Sequence, residues 1–370
     1  MKTILIATGL YPPDIGGPAT HTVFLEKHAS ELGLILKVVT FGRVRKYPPF
    51  FRHLIYLGLI IRASRGCEYL YALDAISVGF PVRVASLITR IPYILRVPGD
   101  YAWEQGQQRF GITETLDEFR TNSLRRPLPV RILSSLQSHV ARNAKRVIVP
   151  SEYLKNVVCG WGVKEERITR IYSVLKELST EEPSLLPFSP LLDTFIISTA
   201  ARLVPWKGMR TLIDVVVRMR GDGLKVHLHI FGDGILKEEL QNHASEVKAR
   251  DIVTFHGAVS RDELAHGLKK SHAFVLNTSY EGLSHQLIEV MSLGVSIVTT
   301  PVGGNIELIE HERTGLLVPY DNSEALYEAL VRLRQDPELR RTLTEEARKA
   351  LSDFSEQRIV SELRALFVSL

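Results

Sequence analysis

The sequence predicts an α/β fold built from two parallel-sheet domains. Short apolar segments of strand length alternate with segments of helical periodicity from one end of the chain to the other, which is the pattern of parallel sheets covered by helices. The 370 residues allow two domains of ordinary size. A stretch rich in proline and serine at residues 179–190 cannot sustain a helix or a strand, so it is predicted to be a linker.

The predicted strands form two sets, one on each side of this linker. The first set is 3–7, 34–41, 69–72, 93–97 and 146–149, and the second is 194–200, 225–231, 252–255, 274–276 and 296–299. Because strands separated by helices pair in parallel, each set is expected to form its own sheet. The predicted domains are therefore residues 1–178 and 191–352, followed by a final helical segment, residues 353–370.

Composition excludes several classes of protein. With 45% hydrophobic and 24% charged residues the chain is expected to be globular, and its two cysteines, Cys67 and Cys159, indicate a reducing cytoplasm rather than a disulfide framework. No secretory signal is predicted, and no apolar run approaches the roughly 20 residues that cross a bilayer. Neither an Asp-x-Asp pair nor a His or Cys cluster of ligand spacing occurs, so no bound metal is predicted.

Charge is distributed unevenly along the chain. Residues 1–178 contain 25 Lys and Arg against 14 Asp and Glu, whereas residues 179–370 contain 21 against 27. A basic first half is suited to an anionic membrane or a phosphorylated acceptor; nucleic acid is not expected, because no known binding module accompanies the charge. Residues 47–65 mix aromatic, aliphatic and arginine residues as an interfacial helix does, although a core helix with solvated ends has the same pattern.

The segment 277–305 has the most specific pattern, because it places two carboxylates, Glu281 and Glu289, around a predicted helix start. Backbone N–H groups of the loop 282–284 and the helix dipole favour an anion there. Carboxylates repel phosphate, so they are expected to accept hydrogen bonds from hydroxyl groups on either side of it, as in a nucleotide sugar. Acidic residues also stabilise a helix start by themselves, but the following strand completes a βαβ unit, whose ligands bind at the carboxyl ends of strands.

Each half also begins with a strand that feeds a loop suited to phosphate. In the first half Gly16 and Gly17 precede a predicted helix, where their N–H groups can approach a ligand, although a turn that requires positive φ explains the pair equally well. In the second half Arg202 and Lys207 lie between a predicted strand and a predicted helix, where two long cations can reach one diphosphate. Such cations would stabilise leaving-group charge without a metal.

The sequence resembles retaining glycosyltransferase family 4, the glycosyl transferases group 1 type with the GT-B fold. The resemblance covers nearly the whole chain and is carried, in order, by the Gly16-Gly17 loop, the segment 202–208, and the Glu281 to Glu289 block with Gly294 and Gly303-Gly304 after it. It implies two Rossmann-like domains that face a central cleft. The N-terminal domain would bind the acceptor, the C-terminal domain would bind the donor, and residues 353–370 would cross back to the N-terminal domain.

The resemblance also implies roles for individual residues. Arg202 and Lys207 would bind the donor diphosphate, Glu289 would accept hydrogen bonds from the ribose, and Glu281 would contact the transferred sugar near its reacting face. Backbone amides would assist, namely those of Gly16, Gly17, Gly282, Leu283 and Ser284. No residue stands out as a covalent nucleophile, and the resemblance implies a front-face displacement in which the departing diphosphate accepts the acceptor's proton.

One departure from the family pattern follows the fourth predicted strand. Many members carry a His-Asp pair there, whereas this chain has Gly99 and Asp100. The family's imidazole is therefore absent or supplied by another residue, and Asp100 is the candidate for the remaining sugar contact. A Gly-Asp turn after a strand explains the two residues equally well.

These observations predict a cytoplasmic, metal-independent glycosyltransferase that moves a hexose from a UDP- or GDP-sugar to an acceptor hydroxyl with retention, in the synthesis of a cell-surface polysaccharide or glycolipid. No cofactor is expected beyond the donor. Basic residues suggest a lipid-linked phosphate acceptor at the inner membrane surface, namely Arg120, Arg125, Arg126, Arg131, Arg142, Lys145 and Arg146. Two alternatives stay open: a nucleotide-sugar epimerase or sugar phosphorylase of GT-B fold, and a non-catalytic subunit that binds a sugar nucleotide.

Overall fold

The computed structural model describes residues 1–14, 16–121, 126–173 and 193–370. They form two compact units, one of Met1–Val174 with Glu356–Leu370 and one of Leu175–Ser355. The predicted linker 179–190 and Arg125 lie outside the described residues. Within the described part of the chain, no helix has both the length and the apolar character needed to cross a membrane.

The N-terminal unit contains one sheet of six parallel strands. They are β1 (Lys2–Thr8), β2 (Leu34–Thr40), β3 (Tyr69–Ala72), β4 (Tyr93–Arg96), β5 (Arg146–Val149) and β6 (Ile168–Arg170). Their order is β2-β1-β3-β4-β5-β6, with Ile4 paired to Leu36 on one side and to Tyr69 on the other. The chain changes direction across the sheet between β1 and β3, and ligands of open α/β sheets bind at the carboxyl end of such a switch point.

Helices connect these strands. They are α1 (Gly17–Lys27), α2 (Pro49–Ala63), α3 (Gly79–Thr89), α4 (Tyr101–Arg109), α5 (Leu116–Thr121), α6 (Leu128–Asn143) and α7 (Glu152–Gly160). Proline in the first turn of α1, α2 and α6 suits a position where its missing N–H costs no helical hydrogen bond. The residues 47–65 proposed as an interfacial or core helix contain α2, which buries Tyr56 and Ile60 and exposes its other side.

The C-terminal unit repeats the plan. Its strands are β7 (Phe195–Ala200), β8 (Val226–Phe231), β9 (Val253–Gly257), β10 (Ala273–Leu276), β11 (Ser296–Thr299) and β12 (Leu316–Leu317). All pair in parallel in the order β12-β11-β10-β7-β8-β9, so the switch point lies between β7 and β10.

The helices of this unit are α8 (Met209–Gly221), α9 (Lys237–Glu246), α10 (Arg261–Lys269), α11 (His285–Leu293), α12 (Ser323–Gln335) and α13 (Pro337–Ala350). Polar side chains accept hydrogen bonds from first-turn N–H groups at several of them, with a full capping box between Ser260 and Glu263 at α10. Buried residues such as Ile197, Leu228 and Ile213 join sheet and helices in one core.

The last helix, α14 (Glu356–Ser369), belongs to the N-terminal unit. Ile359, Leu363 and Phe367 enter the same core as Ile4 and Tyr71. The prediction of an α/β protein with two parallel sheets is confirmed, and every predicted strand is present. The short strands β6 and β12 were not predicted, because two or three residues are too few to show a period.

Candidate active site

Two loops lie side by side at the carboxyl edge of the C-terminal sheet, one after β7 and one after β10. Backbone and side-chain hydrogen bonds join them. Trp206 O accepts from Thr278 Oγ1 at 3.0 Å and from Ser279 N at 2.9 Å, and Asn277 Nδ2 donates to Gly208 O at 3.1 Å. The buried polar groups of both loops are thereby satisfied, and their relative position is fixed.

Gly208 allows this close approach. Its φ of 49° lies in the left-handed region, and a Cβ atom there would stand 2.4 Å from Asn277 Nδ2 and 2.8 Å from Asn277 O. Any larger residue would therefore push the two loops apart. The strand-end segment 202–208, which the sequence singled out for its cations, owes its shape to this glycine.

Lys207 and Glu281 meet across the two loops. Lys207 Nζ donates to Glu281 Oε1, and the two side chains are only 7% and 20% exposed. Burial makes an unpaired charge costly, so the contact gives each of these two charged side chains a partner of opposite charge. An ammonium has three N–H donors, and the bond to Glu281 leaves capacity for an anionic ligand.

Arg202 has a different setting from Lys207. Its side chain is exposed, and its guanidinium lies 5.7 Å from the centre of the buried Trp206 ring. Such a cation–π contact limits the positions of a long flexible side chain. The two cations predicted for the diphosphate thus belong to the same loop, one buried and one exposed.

A third loop, after β11, supports the Glu281 loop. Gly304 N donates to Glu281 O at 2.9 Å, and Thr300 Oγ1 donates to Thr278 O at 2.6 Å. A Cβ atom on Gly303 would lie 2.0 Å from Glu281 O, and one on Gly304 would lie 2.3 Å from Gly282 O. The two glycines are therefore needed for the backbones to touch.

The helix α11 begins at the Glu281 loop. Ser284 is its N-cap, and Ser284 Oγ accepts from Leu287 N at 3.3 Å. No acidic residue lies in the first turn of α11, so the partial positive charge of this helix end is not neutralised from within the helix. The side chains of Leu283 and Ser284 are buried, so these residues would contact an anion through their backbone N–H groups.

Glu289 is held by a residue that the sequence did not indicate. Arg261, at the start of α10, donates to Glu289 Oε1 from Nη2 at 2.9 Å and from Nε at 3.1 Å. Gln286 Nε2 donates to Glu289 Oε2 at 3.2 Å. These two hydrogen bonds from one guanidinium fix the position of the Glu289 carboxylate. No local sequence motif around Arg261 predicts this contact.

In the N-terminal unit, Gly16 is the N-cap of α1 and Gly17 its first residue. Gly16 has a φ of 155° and no side chain to cap the helix, and a Cβ atom on it would lie 2.7 Å from Leu10 Cδ1. The first N–H groups of α1 are consequently not satisfied by a capping side chain, as an anion site at a helix start requires.

Asp100 has a structural function in the same unit. It is 1% exposed and caps α4, accepting from Trp103 N at 3.0 Å and from Gln137 Nε2 at 2.9 Å. Burial raises the pKa of the Asp100 carboxyl, while hydrogen bonds from Trp103, Gln137 and Trp161 act in the opposite direction. The predicted contact between Asp100 and a sugar stays a prediction.

Arg96, the last residue of β4, was not singled out from the sequence. It is 6% exposed, and it forms hydrogen bonds with Tyr71 and, at 3.4 Å, with Ser173 Oγ. Its buried Nη1 has no hydrogen-bond partner among the described residues. His21 Nε2 lies 3.0 Å from the hydroxyl of Tyr71. Burial lowers the pKa of Arg96 and raises that of Tyr71 to about 12. The sequence feature that could have indicated Arg96 is the position of an arginine at the end of an apolar strand.

Among the residues that the structure describes, no group of three or more His, Cys, Asp or Glu is arranged to hold a metal ion. The charged groups of the C-terminal edge are instead cations paired with carboxylates. Such an edge can bind an anion through Lys207 and Arg202 and hydroxyl groups through Glu281 and Glu289.

A comparison with known protein families found one match, which includes the residues of this edge. Residues 187–350 match the family of glycosyl transferases group 1. This part of the chain is similar to the glycosyl transferases group 1. The matched residues include the two loops described above, and so Arg202, Lys207, Glu281 and Glu289, whereas Gly16, Gly17 and Asp100 lie outside them.

Two curated relatives carry related names. An uncharacterized glycosyltransferase of Methanocaldococcus jannaschii is 26% identical over 232 residues, which are 63% of this chain and 62% of that protein. The lipopolysaccharide core biosynthesis glycosyltransferase LpsD of Rhizobium meliloti is 31% identical over 47% of this chain and 50% of its own length. The chain thus spans between half and 62% of the length of these relatives.

A solved structure extends the similarity to the fold of the whole chain. Anabaena HepE, crystallised with UDP and glucose, superimposes with a TM-score of 0.77 at 17% identity, and the match covers 100% of both chains. At this identity the similarity establishes the fold alone. The predicted GT-B class, with two Rossmann-like parallel-sheet domains, is confirmed.

Proposed function

We propose that this chain is a glycosyltransferase that moves a hexose from a nucleoside diphosphate sugar, a UDP- or GDP-sugar, to an acceptor hydroxyl. The observation that carries the proposal is the contact between Lys207 and Glu281 at the switch point of the C-terminal sheet. It places a cation suited to a diphosphate beside a carboxylate suited to sugar hydroxyls. The match of residues 187–350 to the family of glycosyl transferases group 1 supports the same conclusion.

The donor would lie along the carboxyl edge. Lys207 and Arg202 would bind the diphosphate, together with N–H groups of Gly282, Leu283 and Ser284 at the start of α11. Glu289 would accept hydrogen bonds from the ribose, and Arg261 would hold its carboxylate in place. In the N-terminal unit the N–H groups of Gly16 and Gly17 would assist in binding the donor.

The chemical step would follow a front-face displacement with retention. The bond between the anomeric carbon and the diphosphate oxygen breaks, and its electron pair stays on the diphosphate. The acceptor oxygen bonds to the same face of the sugar, and its proton passes to the departing diphosphate oxygen. Lys207 and Arg202 would stabilise that charge without a metal or further cofactor, as preorganised cations do.

Glu281 is not assigned as a covalent nucleophile. Its carboxylate is engaged by Lys207, which lowers its reactivity toward an anomeric carbon and suits it to accept a hydrogen bond from the sugar. Asp100, buried as the cap of α4, is assigned the positioning of that helix near the carboxyl edge of the N-terminal sheet. Both assignments follow from the hydrogen bonds that the two carboxylates already make.

The acceptor would be a glycan or a lipid-linked phosphate, in the synthesis of a cell-surface polysaccharide or glycolipid. Two observations support this: the basic first half of the chain and the name of the relative LpsD. The N-terminal unit would bind this acceptor. The place of action would be the cytoplasmic side of an anionic membrane.

Product analysis tests the proposal. The chain is incubated with UDP-glucose and with GDP-mannose, with and without a polyprenyl phosphate sugar acceptor, and the products are separated by mass. Acceptor-dependent release of UDP or GDP with a glycosylated product is expected. Isomerisation without acceptor, cleavage that requires inorganic phosphate, or donor binding without any turnover would replace this function by an epimerase, a phosphorylase or a binding subunit.

A further inference from the structure

Three neighbouring helices form a continuous outer layer on the N-terminal unit. α2, α3 and α6 lead directly into β3, β4 and β5, which are adjacent strands. α2 packs on α3 and α3 packs on α6, and Arg83 Nη2 on α3 donates to Asn143 Oδ1 on α6 at 3.1 Å. The outward sides of the three helices therefore form one surface, here called the α2–α3–α6 surface.

Large apolar side chains project from each of these helices. They are 36–65% exposed and comprise Phe51, Leu54 and Ile55 on α2, Phe80, Leu87 and Ile88 on α3, and Leu128 and Ile132 on α6. Single exposed apolar residues are ordinary, but a set on adjacent helices marks an interaction surface.

The charge of this surface has one sign. None of the three helices contains an aspartate or a glutamate. Their charged residues are Arg52, Arg62, Arg83, Arg131 and Arg142. Exposed apolar groups bordered by arginines complement a bilayer with anionic headgroups, since the former enter the headgroup boundary and each basic residue near the surface adds about 1 kcal/mol of attraction.

The apolar residues concentrate at one end of the layer. A helix that crosses between parallel strands runs opposite to them, so its first turns lie at the carboxyl edge of the sheet. Phe51, Leu54, Phe80, Leu128 and Ile132 all lie in the first two turns of their helices. They are thus at the same edge as the loop that follows β1.

We infer that the α2–α3–α6 surface docks the chain onto an anionic lipid bilayer. The docked orientation holds the carboxyl edge of the N-terminal sheet at the lipid headgroups, where a lipid-linked acceptor presents its phosphate and sugar. The presence of a lipid-linked acceptor at this edge rests on the proposed function, whereas docking onto the bilayer depends only on the α2–α3–α6 surface.

Vesicle co-sedimentation of the full chain tests the inference. Vesicles of phosphatidylcholine alone are compared with vesicles that also contain phosphatidylglycerol, at low and high salt. We expect binding to the anionic vesicles that weakens in high salt, because part of the attraction is screened. The variant Leu54→Ser/Leu128→Ser/Ile132→Ser should bind the anionic vesicles at least about tenfold more weakly than the unaltered chain, because three exposed apolar side chains are lost.

A matched control substitutes exposed apolar residues elsewhere. Ile235→Ser/Val368→Ser removes side chains that are 63% and 73% exposed and lie outside the three helices, and this variant should bind vesicles like the unaltered chain. Equal vesicle binding by the triple variant, no binding of the unaltered chain at low salt, or binding that salt leaves unchanged would overturn the inference.

A second measurement separates docking from self-association and from the proposed function. Sedimentation velocity should give the same mass for the unaltered chain and the triple variant. A dimer that the variant converts to a monomer, together with absent vesicle binding, would assign the surface to a second copy of the chain. Thermal stabilisation by UDP or GDP should be unaffected by the triple variant, so a failure of docking with intact nucleotide binding leaves the proposed function standing.

Discussion

The two units share one plan, a six-stranded parallel sheet with helices, but they place their charges differently. On the outer helices of the C-terminal unit, acids and bases alternate and pair: Arg341 with Glu338 and Glu345, and Lys349 with Glu346. The helices α2, α3 and α6 of the N-terminal unit contain arginines and no acid. Paired acids and bases give a surface that is well solvated by itself. A surface with arginines and no acids is instead suited to an anionic partner.

The carboxyl edges of the two sheets differ in the same way. The C-terminal edge carries two cation–carboxylate pairs, Lys207 with Glu281 and Arg261 with Glu289. At the N-terminal edge two carboxylates stabilise the fold, since Asp100 caps α4 and Asp74 accepts from Ile76 N at 2.9 Å. A shared architecture therefore does not fix where ligands bind; the pairing of charges at the edge distinguishes the C-terminal unit, which we propose binds the donor, from the N-terminal unit.

The largest effect is expected when Lys207, the buried cation of the C-terminal edge, is removed. Lys207→Ala should lower turnover by about 100-fold to 1,000-fold, because one preorganised charge that meets the leaving group is lost. The control Lys349→Ala removes a lysine that pairs with Glu346 on the exposed side of α13 and should leave turnover unchanged. Steady-state kinetics of both variants decide the matter, and normal turnover of Lys207→Ala contradicts the assignment.

A second change tests the loop contact beneath Glu281. Gly303→Ala should destabilise the chain by about 1–3 kcal/mol, because the new Cβ overlaps a backbone carbonyl and φ is positive. In the N-terminal unit, a Cβ atom on Gly58 would lie within 4 Å of no described atom outside the adjacent backbone of its own helix, so Gly58→Ala should be neutral or slightly stabilising. Urea denaturation measures both, and equal midpoints would show that the loops adapt without cost.

Acid should weaken the C-terminal unit through its histidines. Burial lowers the pKa of His229 to about 3, with His227 and His256 adding to the effect. In the unfolded chain His229 takes up a proton near pH 6.5, whereas in the folded chain it stays neutral until the pH approaches 3. The contribution of neutral His229 to the free energy of unfolding is therefore fully present above pH 6.5 and is lost as the pH falls toward 3. From pH 7 to pH 5 the loss should be about 2 kcal/mol.

His229→Asn should reduce this loss, and His139→Asn, a change on the exposed side of α6, should not. Urea denaturation at pH 7 and pH 5 compares the three chains. An identical loss in the unaltered chain and His229→Asn would show that His229 is not responsible.

The smallest effect is expected at Arg261. Arg261→Ala leaves Glu289 with the bond from Gln286 and should weaken nucleotide binding by about tenfold, because the carboxylate loses its fork of hydrogen bonds. Arg261→Lys should restore part of the affinity. Calorimetric titration with UDP and GDP measures the change, and an unchanged dissociation constant would remove Arg261 from the site.

The fold could be predicted almost entirely from the alternation of apolar strands and helices. The sequence also identified the segments of Lys207 and Glu281, because glycines, a strand end and charge coincide there. It could not show that these side chains contact each other, since they are separated by 74 residues and only the pairing of β7 with β10 brings them together. That pairing crosses the switch point, which local patterns do not encode.

The residues that the sequence missed have in common that their function depends on distant partners. Arg261 acts on Glu289, and Arg96 is defined by its burial beside Tyr71. The sequence predicts Asp100 to be a sugar contact or a turn residue, whereas its buried position at the start of α4 includes a hydrogen bond from Gln137, which comes from another helix. Tertiary hydrogen bonds of this kind leave no periodic trace in the sequence.

The most direct test of the central claim is calorimetric titration of the full chain with UDP and with GDP, before and after the Lys207→Ala substitution. We predict that one of the two nucleotides binds the unaltered chain at a single site and that the substitution weakens its binding by about tenfold or more, because a charge-assisted contact to the diphosphate is lost. Binding of neither nucleotide, or equal affinity with and without Lys207, would contradict the assignment of the C-terminal edge as a donor site.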